Sequence, residues 1–318
     1  MAARPNPPDK AIDDSLVLAE SALLVRGGAC RMTRRMLKSK ATAQKARSAP
    51  KAGFLSPFRY PGGKTWFLKI ARKWLRGQKV RPLVIVEPFA GGASLSLAAV
   101  AEGLVVRASL AERDRDVAAM WRTALNGEAV WLQKQILSFR MGRRRVQRWI
   151  ERNPTNPRQR AFRCLLRNRT ARGGVIAEGA GLIRRGENGN GVGSRWYPET
   201  LVERLRKIAS IKDKIEFRQS DGFKLIRRFL RSKRAVFFVD PPYTQAARRL
   251  YTHWNIDHEA LFKLLCRVKG DVLMTYDDTP EIRGLAKKYG FQVRLISMRT
   301  SHHKKKRELM IAKDFKWQ

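Results

Sequence analysis

The alternation of apolar and polar positions divides the chain into a short set of elements. Leu83-Val84-Ile85-Val86 and Val236-Phe237-Phe238-Val239 are apolar without a break, and such β-branched and aromatic runs predict parallel strands covered on both faces. Further strands are predicted over Val105–Ala111, Lys214–Arg218, Asp271–Tyr276, Phe291–Ser297 and Glu308–Lys313, the last two joined by the basic turn Thr300–Arg307. Helical periodicity runs through Trp66, Ile70 and Trp74, through Leu97, Ala98 and Ala101, and over Val130–Arg140 and Arg158–Arg169. Strands interleaved with helices predict an α/β fold. Pro241 and Pro242 stop the strand before them, so Asp240 belongs at its carboxyl end, the edge where open α/β sheets bind ligands.

Composition alters this picture through charge. At 318 residues and 43% hydrophobic content the chain can bury a full core, but its net charge is +40. Residues 1–53 hold 11 Lys and Arg against four Asp and Glu, a net of only +7, so the basicity belongs to the folded body. That opening stretch reads as a basic, flexible extension, helical in part over Ser15–Val25. Residues 120–200 carry 17 basic against five acidic residues. Such a field selects a polyanion, nucleic acid first, and a structural RNA binder fits the charge equally well. Cys30, Cys164 and Cys266 form no CxxC pair, which points to a reducing compartment and away from zinc or disulfides. His302 and His303 are adjacent in a basic run and read as a solvated loop rather than metal ligands. No apolar run approaches a membrane span and no signal-peptide layout opens the chain, so the expected location is the cytoplasm.

Candidate chemistry gathers where strands end. In Asp240-Pro241-Pro242-Tyr243 a carboxylate and a backbone carbonyl held off the sheet ladder can accept both hydrogens of one NH2 group, while the tyrosine stacks on a flat ring. That set would grip an exocyclic amine on a nucleobase; a plain turn with a solvated acid would show the same residues. Tyr60-Pro61-Gly62-Gly63-Lys64 is a glycine turn into a helix, where backbone N–H groups approach a ligand and Lys64 adds a point charge. Glu87-Pro88-Phe89-Ala90-Gly91-Gly92-Ala93-Ser94 links a strand to a helix through a Gly-rich turn, the arrangement that binds the adenosine part of a cofactor, without the dinucleotide spacing G-x-G-x-x-G. The next strand ends in Glu112-Arg113-Asp114, an acid about 20 residues on, placed for ribose hydroxyls. Glu112 is the first choice and Asp114 the alternative, with a solvated loop charge as the competing reading. Glycines and asparagines crowd Gly173–Ser194, a loop region able to follow a groove.

These motifs, in this order, resemble the Dam-like, alpha-group DNA adenine N6-methyltransferases, and the resemblance covers residue 54 to the end. It implies an S-adenosylmethionine-dependent methyltransferase fold: α/β, Rossmann-like, a mostly parallel seven-stranded sheet whose last strand inserts antiparallel. The catalytic domain would comprise residues 54–119 and 200–318, and residues 120–199 a mainly helical target-recognition domain. The resemblance implies S-adenosylmethionine as cofactor, held by Tyr60, Gly62, Gly63, Lys64, Glu87, Phe89, Gly91, Gly92, Ser94 and Glu112, with Asp221 on its adenine. Asp240, Pro241, Pro242 and Tyr243 would act on the target base, Tyr251–His258 would close over it, and Thr275-Tyr276-Asp277 would line its pocket. Double-stranded DNA is the implied partner, contacted by Asn168, Arg169, Arg172, Arg184, Arg185 and Arg195, with no metal and a monomeric enzyme; a lone enzyme and the partner of a cognate restriction endonuclease in a restriction-modification pair would look alike in sequence. The chain also departs from the family. Asn168-Arg169-Thr170 continues with Arg172-Gly173-Gly174 instead of an aromatic and Asn-Gly, and Ala177 stands where GATC-methylating members carry an arginine, so GATC is not implied. An RNA or cytosine-N4 methyltransferase, or an inactive nucleic-acid-binding homologue, remains the alternative.

Overall fold

A computed structural model describes residues 54–59, 63–177, 179–186, 189–243, 255–299 and 305–318. The basic extension 1–53, Tyr60, Gly62 and the first half of the Tyr251–His258 loop lie outside the described residues. Seven strands form one sheet: β1 Val84–Glu87, β2 Arg107–Glu112, β3 Ile215–Gln219, β4 Ala235–Val239, β5 Asp271–Asp277, β6 Gln292–Arg299 and β7 Lys305–Ala312. Their spatial order is β3-β2-β1-β4-β5-β7-β6. The first five run parallel, and β7 enters antiparallel between β5 and β6. This is the doubly wound α/β sheet, mostly parallel with an antiparallel last strand, that the resemblance implied.

The apolar runs explain the layering. Side chains alternate along a strand, so Ile85, Val236 and Phe238 pack into one apolar layer while Val84, Val86, Phe237 and Val239 pack into the other. The first layer takes helices α1 (Leu68–Arg76), α2 (Ser94–Ala101) and α3 (Arg115–Leu125). The second takes α8 (Gly222–Arg228), α9 (His258–Leu265) and α10 (Pro280–Lys288). Both faces of β1 and β4 are covered, which is why their sequences carry no polar alternation.

Between β2 and β3 the chain adds α4 (Ala129–Ser138), α5 (Arg143–Glu151), α6 (Pro157–Thr170) and α7 (Pro198–Ser210). Asn156 caps α6 with Pro157 at its first turn, and Arg160 and Arg163 tie the helix to Asp116 of α3 at 3.2 and 2.6 Å. Phe139, Trp149, Phe162 and Trp196 pack edge to face at ring distances of 5.0–6.1 Å. The insertion shares one continuous core with the α1–α3 face, and the boundaries expected at 120 and 199 fall inside α3 and α7. Strand β6 runs to Arg299 and β7 begins at Lys305, so the basic turn expected over Thr300–Arg307 is shorter at its carboxyl end. Among the described residues no helix is long and apolar enough to cross a membrane, and no cluster of three His, Cys, Asp or Glu is placed to hold a metal ion.

Candidate active site

Asp240 follows the fully buried end of β4, and four side chains from separate parts of the chain converge around it. Lys64, in the turn that leads into α1, places its ammonium 2.9 Å from Asp240 Oδ1 and donates to the Tyr243 hydroxyl at 2.9 Å. Thr275 of β5 donates to the same Asp240 oxygen at 2.7 Å. Tyr243 donates in turn to Glu308 Oε2 at 3.0 Å, and the Lys64 ammonium lies 3.7 Å from that oxygen. The antiparallel entry of β7 makes this possible: Glu308 pairs in register with Asp277, so the start of β7 and the end of β5 share the cleft edge. Tyr243 stacks on buried Tyr276 at 6.1 Å, and Tyr276 is in turn held by His258 Nδ1 at 3.1 Å. Burial, with the charges of Asp240 and Glu308 beside it, pushes the Tyr243 hydroxyl well above its ordinary range, so it keeps its proton.

A second group of acids lies at the ends of β1 and β2. Glu87 is buried and accepts from Ser96 at 2.5 Å. Burial pushes its carboxyl up to about 8, opposed by the Ser96 hydrogen bond and reinforced by Asp240. The turn that follows uses left-handed backbone at Gly91 (φ 45°) and at Ala93 (φ 46°), the latter a strained conformation for a residue with a Cβ. Glu112 holds the turn in place by accepting the Gly91 N–H at 3.0 Å and the Asp114 N–H at 2.9 Å. Burial pushes its carboxyl up to about 7, with these N–H groups pulling the other way. Asp114 caps α3, and Asp221 caps α8 by accepting the Phe223 N–H at 2.8 Å. A Cβ on Gly222 would fall 2.5 Å from the Pro88 carbonyl oxygen, so glycine is what lets the β3–α8 turn close against the β1 turn.

These turns enclose a cleft of about 310 Å³ that reaches from Glu112 and Asp221 at one end to Lys64, Asp240 and Pro242 at the other. Gly63, Glu87, Phe89, Gly91, Gly92 and Ser94 line it, so the structure brings together every expected cofactor residue that it describes. Its size falls within the small-molecule range. Its acceptors suit ribose hydroxyls and an adenine amine, and its Gly-rich floor leaves room for a ligand against the backbone; these residues fit S-adenosylmethionine. Lys64 is the exception in role: its ammonium is bound to Asp240, at the reacting end rather than on the floor. Glu308 and Ser96 carried no signal in the sequence: Glu308 follows the basic run Lys305-Lys306-Arg307 in β7, Ser96 lies within α2, and neither sits where an apolar strand stops.

The insertion changes the reading of two expected DNA contacts. Asn168 is buried and spends its amide on the Arg59 N–H, the Arg59 carbonyl and the Gly174 carbonyl, at 2.8, 3.2 and 2.8 Å. Arg169 is buried and donates to the Pro57 carbonyl, and burial pushes its guanidinium down to about 9. Neither is placed to touch DNA. Both clamp the segment that leads to Gly63 and Lys64, helped by Arg204 on the Ser56 carbonyl. Arg172, Arg184 and Arg185 are exposed and Arg195 half-buried. Helix α5 adds exposed Arg143, Arg144, Arg145 and Arg148, which the sequence reading did not single out.

No family model matches the chain, and no curated protein does. Among solved structures the chain is similar to an rRNA methyltransferase, aviRa, from Streptomyces viridochromogenes, with 13% identity over 84% of this chain and 93% of that one at a TM-score of 0.36. A SAM-dependent methyltransferase from Agrobacterium tumefaciens matches at 9% identity over 78% and 60%, TM-score 0.38. A precorrin-6y C5,15-methyltransferase from Geobacter metallireducens matches at 10% identity over 77% and 86%, TM-score 0.34. Likeness at this level does not assign an activity or a substrate.

Proposed function

We propose that the chain is a site-specific DNA methyltransferase that moves a methyl group from S-adenosylmethionine to the N6 amine of adenine. The observation that carries this reading is Asp240: a carboxylate at the carboxyl end of β4, followed by two prolines, opening onto the acid-lined cleft. The N6 amine is a poor nucleophile because its lone pair is delocalised into the ring. Hydrogen bonds from its two N–H groups to Asp240 and the Pro241 carbonyl localise that pair and aim it, a gain of orientation and electrostatics. Lys64 and Thr275 both engage Asp240 Oδ1, so Oδ2 is the oxygen assigned to the amine. Bound S-adenosylmethionine supplies the electrophilic methyl group. Glu112 would accept from its ribose and Asp221 from its adenine. The target base must leave the duplex, at a cost of a few kcal/mol, and stacking on Tyr243 offsets it. Exposed Arg172, Arg184 and Arg185 take phosphates.

The same grip serves an exocyclic amine on RNA or on cytosine N4, and the charge of the chain suits any of these polyanions. The deciding experiment is transfer of a labelled methyl group to unmethylated plasmid DNA, with RNA as a parallel substrate and the product nucleosides separated. N6-methyladenine in one short DNA motif supports the proposal and supplies the specificity. Label on RNA alone, or on cytosine, replaces it with the corresponding alternative.

A further inference from the structure

The edge of the sheet opposite the cleft, where the parallel strands begin, is a rim of cations that the methyl-transfer reading does not use. Four of the five entries into the parallel strands add to it: Lys79 and Arg81 before β1, Lys212 and Lys214 before β3, Arg231 before β4, Arg267 and Lys269 before β5, all exposed, with exposed Lys316 just after β7; the entry into β2 adds none, its Arg107 being buried. The connections are joined to one another, so the rim is one surface. The Lys269 N–H bonds the Leu230 carbonyl at 3.0 Å, the Leu83 N–H bonds the Arg234 carbonyl at 2.9 Å, and a Cβ on Gly77 would fall 2.6 Å from Trp317 Cβ. The acids nearby are few. Asp271 is occupied by Trp74 Nε1 at 2.7 Å and Gln78 Nε2 at 2.8 Å, Glu102 is paired with Arg72 at 2.7 Å, and Asp213 and Asp314 remain. Strands are spaced about 4.8 Å apart, so the five intervals from β3 to β7 give a rim roughly 24 Å long. That is roughly the rise of seven base pairs.

We propose that this rim is a second DNA-binding surface, which holds the phosphate backbone of another duplex, or of a distant segment of the same one, while the cleft side works on its target. Lys and Arg dominate this edge, and Gln78 is spent on the Trp74 carbonyl and Asp271, which fits sequence-independent phosphate contact. Because the rim and the cleft lie at opposite ends of the same strands, one short duplex cannot reach both. The surface stands on charge and topology alone and does not depend on the reaction at Asp240.

The test uses the full chain, an immobilised 12-base-pair duplex and a labelled second duplex of the same length, in a sandwich assay with the mass of the complex measured by sedimentation. The comparison protein carries Lys79→Ser, Arg81→Ser, Arg231→Ser, Arg267→Ser, Lys269→Ser and Lys316→Ser. The native chain is expected to hold two duplexes per chain. The sixfold variant is expected to keep the first duplex, capture at least tenfold less of the second, and lose about 0.9 in salt slope for each phosphate contact removed. One duplex per native chain, bridging only by two chains, equal capture by the variant, or a second site filled by duplex RNA but not DNA would each overturn the proposal.

Discussion

The cleft and the helical insertion carry opposite charge within one strongly basic chain. Six of the chain's 27 acids line the cleft, Glu87, Glu112, Asp114, Asp221, Asp240 and Asp257, against the two cations Lys64 and Arg113. Over residues 120–200 the balance is 17 basic to five acidic. The difference assigns the two regions different partners. A cleft of acceptors suits amines, hydroxyls and a cationic donor, and it repels phosphate; an arginine surface suits phosphate and offers nothing to an amine. The two meet at the clamp where Asn168 and Arg169 of the insertion hold the backbone of Pro57 and Arg59, five to seven residues before Lys64.

The cleft side of this comparison breaks most completely at Asp240. Asp240→Ala is expected to lower methyl transfer by at least about 10²–10³-fold while binding of cofactor and DNA persists. Labelled-methyl assays alongside filter binding test this, and near-native transfer would remove Asp240 from the mechanism. The junction comes next. Gly174 has φ +75° and approaches the Arg59 carbonyl so closely that a Cβ would lie 2.1 Å from its oxygen. Gly174→Ala is therefore expected to cost about 2–4 kcal/mol through left-handed strain and overpacking. Thermal melting reads this, and an unchanged midpoint would mean the clamp yields freely. The insertion side gives a smaller effect. Arg184→Ala with Arg185→Ala should reduce the salt slope of DNA binding by roughly two and leave cofactor affinity unchanged. A loss of cofactor affinity instead would erase the division between the two regions.

Legibility in the sequence followed the physics of each signal. The central strands were readable because burial on both faces demands unbroken apolar runs, as in Val236–Val239, and the cleft was readable because its acids sit where such runs stop. Lys64 and Glu87 were found through neighbouring glycines and prolines, which constrain backbone and so leave a trace. Glu308 left none: its position depends on β7 entering antiparallel beside β5, a pairing between residues far apart in the chain. Asn168 and Arg169 misled for the opposite reason. Polar residue types suggest a surface, yet here they satisfy backbone groups of a distant segment, as buried polar side chains must. The short, arginine-rich α5 was missed because Val146 is its one fully buried residue, too little for a periodic pattern.

A dependence of stability on pH measures the cost of gathering acids in a buried cleft. Glu87 has an ordinary carboxyl value of 4.5 when unfolded and about 8 when folded, burial being the main cause. Between those values the native state binds more protons than the unfolded state, so stability falls as pH rises from about 4.5 to about 8 and then levels off. Glu112, raised to about 7, contributes with the same sign over a narrower window. Glu87→Gln keeps the shape and an acceptor for the Ser96 hydroxyl but cannot ionise. It should therefore match the native chain near pH 5, exceed it in stability near pH 9, and retain only the shallower slope due to Glu112. Urea midpoints at pH 5, 7 and 9 measure this directly. Parallel curves for the two proteins would show that Glu87 ionises in the folded state as easily as in water, and the cleft would then be wetter than its burial implies.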